Sequence, residues 1–130
     1  MTDILIEFSN EDILRGKLVE PAWYRLKIGE IKTTMSKAGD STNYAVETTI
    51  IRNADNGNEE YAGVPVTARF NSKAKGFMVG YFAALGIEVG PGKPFNLGAS
   101  EGREIDAFVE RKEYEGKLSN DITHKYRAAV

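Results

Sequence analysis

Cysteine is missing from this 130-residue chain, and its absence excludes disulfides and metal sites built on thiolates. With one histidine and no cysteine, the sequence gives little support to nucleophilic catalysis. No apolar run is long enough to span a bilayer, and Asp3 and Glu7 flank the first apolar residues, where a secretory leader would be basic. These absences predict a cytoplasmic protein with no membrane segment.

Net positive charge is also lacking, because 17 basic residues stand against 19 acidic ones and leave a formal charge of −2. A protein that binds through blanket positive charge is therefore not expected. The distribution is uneven, since residues 1–65 carry 7 basic and 11 acidic groups and residues 66–130 carry 10 and 8. A local basic groove is compatible with this pattern. The length and the 42% hydrophobic content predict one globular domain.

The chain divides into an N-terminal extension, residues 1–20, and a domain, residues 21–130. Pro21 interrupts any helix that begins in the extension, and we expect the extension to pack on the domain. The first strand is predicted over 22–35, where apolar residues alternate but change phase at Gly29. One extra residue there would restore a single inward face, which predicts a β-bulge at a residue that tolerates its backbone.

Four further apolar runs and one helix follow the first strand. Alternation predicts the strands, and apolar residues at spacings of three and four predict the helix, which Asn71 or Ser72 caps and Gly86 ends. In chain order these elements are strands at 44–51 and 64–70, the helix at 74–85, and strands at 105–109 and 118–126. An all-β chain with one helix in this position has the element order of the five-stranded OB-fold barrel.

The first candidate binding surface is the outward side of the first three strands. If the apolar residues face inward, the outward candidates are Trp23, Arg25, Lys27, Lys32 and Arg69, joined by Lys37 in the first loop. An exposed ring can stack on a base and cations can track phosphates, so this set favours nucleic-acid binding. In the alternative interpretation, Trp23 covers the extension and the cations are simply solvated.

A second candidate lies between the last two predicted strands. Lys112, Tyr114 and Lys117 combine an aromatic ring with cations, on the loop that closes over oligonucleotides in many OB folds. Glu113 and Glu115 weaken the positive charge of this segment. A plain charged hairpin is the alternative, because loops are solvated for reasons unrelated to ligands.

Three stretches form an ordered set across much of residues 20–127: EPAWYRLKI at 20–28, ALGI at 84–87 and GREIDAFVERKEYEGKLSNDI at 102–122. In these stretches the chain resembles a family of small bacteriophage and prophage single-stranded DNA-binding proteins. The resemblance implies an OB fold, sequence-tolerant binding of single strands in viral replication or recombination, and no enzymatic activity. It also implies a location in the cytoplasm of the infected bacterium. By matching positions, the resemblance implies nucleic-acid contacts from Trp23, Arg25 and Lys27 and from the hairpin residues Lys112, Tyr114 and Lys117.

The leading hypothesis is a protein that coats single-stranded DNA by stacking on bases and neutralising phosphates, with no catalytic residue, metal or cofactor. Ser119, Asp121 and His124 lie close in sequence, but alternation puts the histidine opposite the other two, which argues against a catalytic relay. The alternative is a structural or adaptor protein of a phage particle or replication complex, favoured by the acidic net charge. A duplex- or RNA-binding variant is the third hypothesis. Homo-oligomers and contacts with replication or recombination proteins stay open.

Overall fold

The computed structural model describes residues 2–130, so Met1 of the predicted extension lies outside the described residues. The fold is mostly β: five antiparallel strands form one sheet, and a helix follows the third strand as predicted. The elements in chain order are α1 (Asn10–Arg15), β1 (Ala22–Met35), β2 (Thr42–Asn53), β3 (Pro65–Asn71), α2 (Gly76–Ala84), a 3-10 turn (Leu97–Ser100), β4 (Glu104–Tyr114) and β5 (Lys117–Ala128). Within residues 2–130, no helix has the length and apolar character needed to cross a membrane.

Strand β1 is the centre of the sheet, whose strand order is β3-β2-β1-β4-β5. Along its first half β1 pairs with both neighbours, and Tyr24 lies between Asn53 of β2 and Ala107 of β4. Its pairing with β4 ends at Lys27, and β1 continues beside β2 alone to Met35. One long strand therefore joins the two halves of the sheet, which requires it to bend.

The bend includes a bulge at the predicted position, Gly29. Between Ile28 and Ile31, β1 contains one residue more than β2. The extra residue returns half-buried Ile31 to the inward face that buried Ile28 occupies. A Cβ at position 29 would lie 3.3 Å from the backbone oxygen of Glu47, so glycine also permits the close approach of β2. The predicted β-bulge is confirmed.

The core lies between the curved sheet and α2. Alternate residues of the strands supply its aliphatic part, including Leu26, Val46 and Ile105, which are fully buried. Tyr81 and Phe82 of α2 pack against them and are also buried. Removal of this apolar surface from water is the main term that stabilises a domain of this size.

Strands β3 and β5 are the two ends of the sheet, and aromatic rings span the space between them. The rings of Phe70 in β3 and Tyr126 in β5 lie 6.3 Å apart between centroids, and Tyr81 of α2 contacts both edge-on. No backbone pairing joins β3 to β5 in residues 2–130, so the sheet is not closed. The result is a barrel-like fold with side chains and α2 in the opening.

Helix α2 begins later than its predicted start. Asn71 and Ser72 do not cap it, since the helix begins at Gly76 without a side-chain cap. The Ser72 hydroxyl instead accepts a hydrogen bond from the backbone N–H of Thr42 at 2.9 Å, so it ties β3 to β2. Phe77, which the spacing assigns to the core, is 55% exposed. The helix is apolar on all sides, so its periodicity does not choose which side faces the sheet.

The predicted loop at 112–117 is in fact a two-residue turn. β4 runs to Tyr114 and β5 starts at Lys117, and these two residues pair across Glu115 and Gly116. Both turn residues have positive φ, 51° and 76°, as a type I′ hairpin turn requires. The strand ladder, rather than a loop, therefore positions Tyr114 and its basic neighbours.

Helix α1 is an element that the apolar pattern does not predict. Ser9 caps it: the Ser9 hydroxyl accepts from the backbone N–H of Asp12, and the Asp12 carboxylate accepts from the backbone N–H of Ser9. These hydrogen bonds lower the pKa of Asp12. Beyond the helix, Val19 is fully buried and its N–H donates to the side chain of Asn120 at 3.0 Å. Residues 2–8 are exposed. The boundary between extension and domain stays a prediction.

Candidate nucleic-acid interface

A cleft of about 550 Å3 brings together four of the nine binding residues predicted from the sequence. It lies between the start of β3, the β4–β5 hairpin and the residues at the end of α1. We call it the cationic cleft, and its charged and aromatic side chains are those of Arg15, Lys17, Arg69, Lys112, Tyr114, Lys117 and Asp121. Three segments that are distant in sequence therefore meet at one groove.

The charge of this cleft is opposite to that of the whole chain. Five cations line it against one carboxylate, Asp121. Arg15 is paired with Glu11 on α1, at 2.9 Å. For the other four cations, no carboxylate of residues 2–130 comes within 4.0 Å of the charged nitrogen. Their potentials add within the groove, which favours an anionic ligand.

Tyr114 supplies the aromatic surface of the cationic cleft. It is the last residue of β4, directly across from Lys117, and 71% of its surface is exposed. Leu118, the next residue along β5, is 47% exposed and lines the same cleft. An exposed ring between cations can stack on a planar group while the cations hold its charged neighbours.

Strand β3 contributes Arg69 because of its alternation and its place at the sheet edge. Val66 and Ala68 point inward and are buried, so Thr67 and Arg69 occupy the outer face. Pro65 opens the strand, where it donates no ladder hydrogen bond. The edge position leaves the outer face of β3 next to the hairpin, with Arg69 exposed to solvent.

A second cleft, of about 700 Å3, adjoins the cationic cleft and shares Arg15, Pro65 and Thr67 with it. We call it the acidic cleft, and its charged side chains are those of Glu11, Arg15, Glu30, Lys32 and Glu47. The ammonium of Lys32 lies 3.0 Å from the Glu47 carboxylate, and this hydrogen-bonded pair raises the pKa of Lys32. The predicted contact Lys32 therefore has a protein partner, and both cations here are paired.

Trp23 lies on a third surface, outside both clefts. It is half-buried, and its ring packs edge-on against Phe108 of β4, with centroids 5.8 Å apart. The guanidinium of Arg127 lies 4.4 Å from the centre of the Trp23 ring, a cation–π contact. The indole is therefore outside the core, but protein groups cover part of it. A base would compete with Arg127 for that face.

Arg25 lies beside Trp23 and is already bound to protein acceptors. Its Nε donates to the Asp106 carboxylate at 2.9 Å, and its second nitrogen donates to the Val130 carbonyl at 2.9 Å. The hydrogen bond that Arg25 donates to the Asp106 carboxylate raises the pKa of Arg25. Asp106 is buried, at 3% exposed, and Arg127 reaches it from the other side at 3.6 Å. A phosphate at Arg25 would have to displace these partners.

The remaining predicted contacts lie outside both clefts. Lys27 is exposed on the outer face of β1, opposite Thr49 of β2. Lys37 is exposed in the turn between β1 and β2. The structure therefore brings Arg69 of the first candidate surface together with the hairpin candidates and leaves Lys27 and Lys37 apart from them.

Sequence reasoning missed Arg15 and Lys17 because both lie in the predicted extension. The signal was present: residues 2–14 contain no basic residue, and then two follow around Gly16. Arg15 also stands four residues after Glu11, the spacing of a helical ion pair. Recognition of α1 would have placed both cations at the end of a short helix.

Two polar atoms of β5 are buried without a hydrogen-bond partner in the described part of the chain, His124 Nδ1 and the Tyr126 hydroxyl. Burial lowers the pKa of His124, and the charge of Asp121 opposes that shift. The imidazole stacks on Phe77 at 4.6 Å between centroids. Residues 2–130 contain no group of three or more His, Asp or Glu side chains placed to hold a metal ion.

The geometry indicates what the cationic cleft can do chemically. Its unpaired cations can neutralise several phosphates, and Tyr114 can stack on a base between them. Neither a scan against protein-family models nor a search of curated proteins found a match to the chain.

Proposed function

We propose that this protein binds single-stranded DNA through the cationic cleft, with little sequence preference and without catalysis. The observation that carries the proposal is one groove lined by five cations, exposed Tyr114 and a single carboxylate, in a chain of net charge −2. The cations would supply affinity for phosphates and the ring would stack on bases. Neither interaction reads base identity, so the binding would be sequence-tolerant.

We also propose that the sheet is an OB-fold barrel. The strand order, the helix between β3 and β4, and the bulged β1 support this assignment. OB folds bind oligonucleotides on strands 2 and 3 and on the loop between strands 4 and 5. The position of the cationic cleft beside β3 and the β4–β5 hairpin supports the same assignment. The resemblance of the three sequence stretches supports a role in phage replication or recombination, in the bacterial cytoplasm.

In this proposal the surface around Trp23 is not the main binding site. Arg127 covers one face of the indole, and Asp106 holds the guanidinium of Arg25, so both groups are already engaged. Tyr114 has neither constraint, and unpaired cations are its neighbours. Stacking at Tyr114 would therefore displace fewer protein contacts than stacking at Trp23.

The test is binding of a fluorescent oligothymidine, measured by anisotropy at low salt. Tyr114→Ala is expected to weaken binding by roughly 1–3 kcal/mol, the usual contribution of one stacked base. Tyr114→Phe is the matched control, because it keeps the ring and removes only the hydroxyl. Its affinity should stay close to that of the original protein.

A parallel Trp23→Ala variant decides which surface binds. We expect it to lose less affinity than Tyr114→Ala. No binding by the original protein at low salt would contradict the proposal, and a loss confined to Trp23→Ala would move the site to the other face. Competition by duplex DNA and by RNA of the same length separates a single-strand binder from the other nucleic-acid classes.

An adaptor role is the second candidate function, and one observation favours it. Apolar side chains of residues 4–8 are exposed, which is typical of a segment that contacts protein. An adaptor would bind its partner without any loss on Lys112→Gln or Lys117→Gln and would show no affinity for oligothymidine. The same anisotropy experiment therefore separates the two functions.

A further inference from the structure

The N-terminal arm, residues 2–8, is apolar, acidic and uncovered. Its four large apolar side chains are each at least two-thirds exposed: Ile4 (78%), Leu5 (94%), Ile6 (69%) and Phe8 (68%). Asp3 and Glu7 are interleaved with them, and the arm has no basic residue. An exposed apolar run of this kind indicates an interaction site.

The cationic cleft complements this arm in charge and in apolar character. Lys112, Lys117 and Arg69 have no carboxylate partner among residues 2–130, so they can receive the two carboxylates of the arm. Tyr114 and Leu118 are exposed beside these cations and can cover apolar side chains. Among the two clefts, only this one offers an excess of positive charge.

The arm joins α1 at the end of the helix that does not line the cationic cleft. Asn10 and Glu11, at the start of the helix, line the acidic cleft, whereas Arg15 at its end reaches the cationic cleft. The arm therefore joins the helix beside the acidic cleft, and the carboxylates of that cleft, Glu11, Glu30 and Glu47, repel those of Asp3 and Glu7.

We propose that the N-terminal arm docks in the cationic cleft of a second copy of this chain. The carboxylates of Asp3 and Glu7 meet the cleft cations, and the apolar side chains of the arm pack on Tyr114 and Leu118. The inference rests on the proposed function in one respect, that single-stranded DNA competes with the arm for the same groove. Self-association itself does not depend on nucleic acid.

The test is sedimentation velocity of the full chain, free of nucleic acid, over a concentration series at low salt. Reversible association is expected, and Leu5→Ser combined with Phe8→Ser should weaken it at least tenfold. Val130→Ser is the control, since this residue is also apolar and fully exposed but lies at the other end of the chain. It should leave the association constant unchanged.

A charge exchange tests the acceptor. Glu7→Lys and Lys112→Glu should each weaken association, because each brings like charges together. If the arm meets the cleft, the double variant restores a favourable pair and recovers association. Because Lys112→Glu also weakens DNA binding if the proposed function holds, the recovery is measured by sedimentation alone.

Three outcomes would overturn the docking: a monomer at every concentration, association that survives the arm substitutions, or no recovery in the double variant. DNA binding is scored separately, by anisotropy on the same proteins. If the arm competes with DNA, the Leu5→Ser and Phe8→Ser protein binds oligothymidine at least as tightly as the original. Absence of oligothymidine binding by the original protein, with intact association, would overturn the proposed function and leave the docking standing.

Discussion

At the scale of single residues, the Asp106 carboxylate is held by charged groups on both sides. It is 3% exposed and lies between the guanidinium groups of Arg25 and Arg127. Arg127 continues the chain of charges to exposed Asp55 and also covers the Trp23 ring. A buried ion pair contributes little net stability compared with apolar groups, but removal of one member leaves a charge without a partner. Asp106 therefore holds Arg25 in place and, through Arg127, the group that covers the Trp23 ring.

Asp106→Ala is expected to lower the free energy of unfolding by about 3–5 kcal/mol, because it leaves the side chain of Arg25, 12% exposed, without its carboxylate. Urea denaturation followed by tryptophan fluorescence measures this change. Asp55→Ala is the control: its pair with Arg127 is exposed, so its loss should cost less than about 1 kcal/mol. Equal effects of the two substitutions would contradict the assignment.

At the scale of elements, the β4–β5 hairpin decides the shape of the cationic cleft. The strand ladder continues to the pair of Tyr114 and Lys117, and a turn of only two residues closes it. Gly116 adopts φ of 76°, a conformation in which an L side chain is strained although nothing lies within 4 Å of the added Cβ. The turn therefore sets the direction in which Tyr114 projects.

Gly116→Ala should destabilise the protein by about 1–2 kcal/mol, the cost of the left-handed conformation for a residue with a Cβ. Urea denaturation at neutral pH tests it. Gly90→Ala serves as the matched control, since φ at Gly90 is not in the left-handed region and the added Cβ has room. That variant should change the free energy of unfolding by less than roughly 0.5 kcal/mol. If Gly116→Ala leaves the free energy of unfolding unchanged, the turn differs from the one described.

At the scale of the whole molecule, charge is segregated rather than abundant. The chain is acidic overall, yet the cationic cleft carries five cations and one carboxylate while its neighbour is acidic. Such a surface attracts a polyanion to one groove and repels it elsewhere. The arm, which is acidic as well, is subject to the same field.

The affinity for oligothymidine should fall as the salt concentration rises. The number of phosphates that the cleft neutralises sets how steeply it falls. With about 0.7 counterions released per phosphate of a single strand, up to five contacts predict a log–log slope no steeper than about −3.5. Lys117→Gln should reduce that slope by about 0.7. Lys93→Gln, at an exposed lysine that lines neither cleft, should not change it. A salt-independent affinity would exclude phosphate neutralisation as the source of binding.

Local patterns predicted the elements well because alternation and turn residues act over a few positions. The change of apolar phase at Gly29 located the bulge, and Pro65 marks the start of an edge strand. At α2 the pattern failed because the competing interactions were not local. Ser72 bonds to β2 instead of capping α2, and Phe77 lies on the wrong side of a helix that is apolar all round.

The sequence by itself determined the order of strands and helix, the bend of β1 and the pairing of basic residues with Tyr114 in the hairpin, because each depends on neighbours within about ten positions. Tertiary structure alone decided which cations share a groove. It brought Arg15 and Lys17 to the hairpin, and it turned Arg25 toward Asp106, 81 residues away. Contacts across such separations depend on how the sheet folds over, which no local spacing encodes.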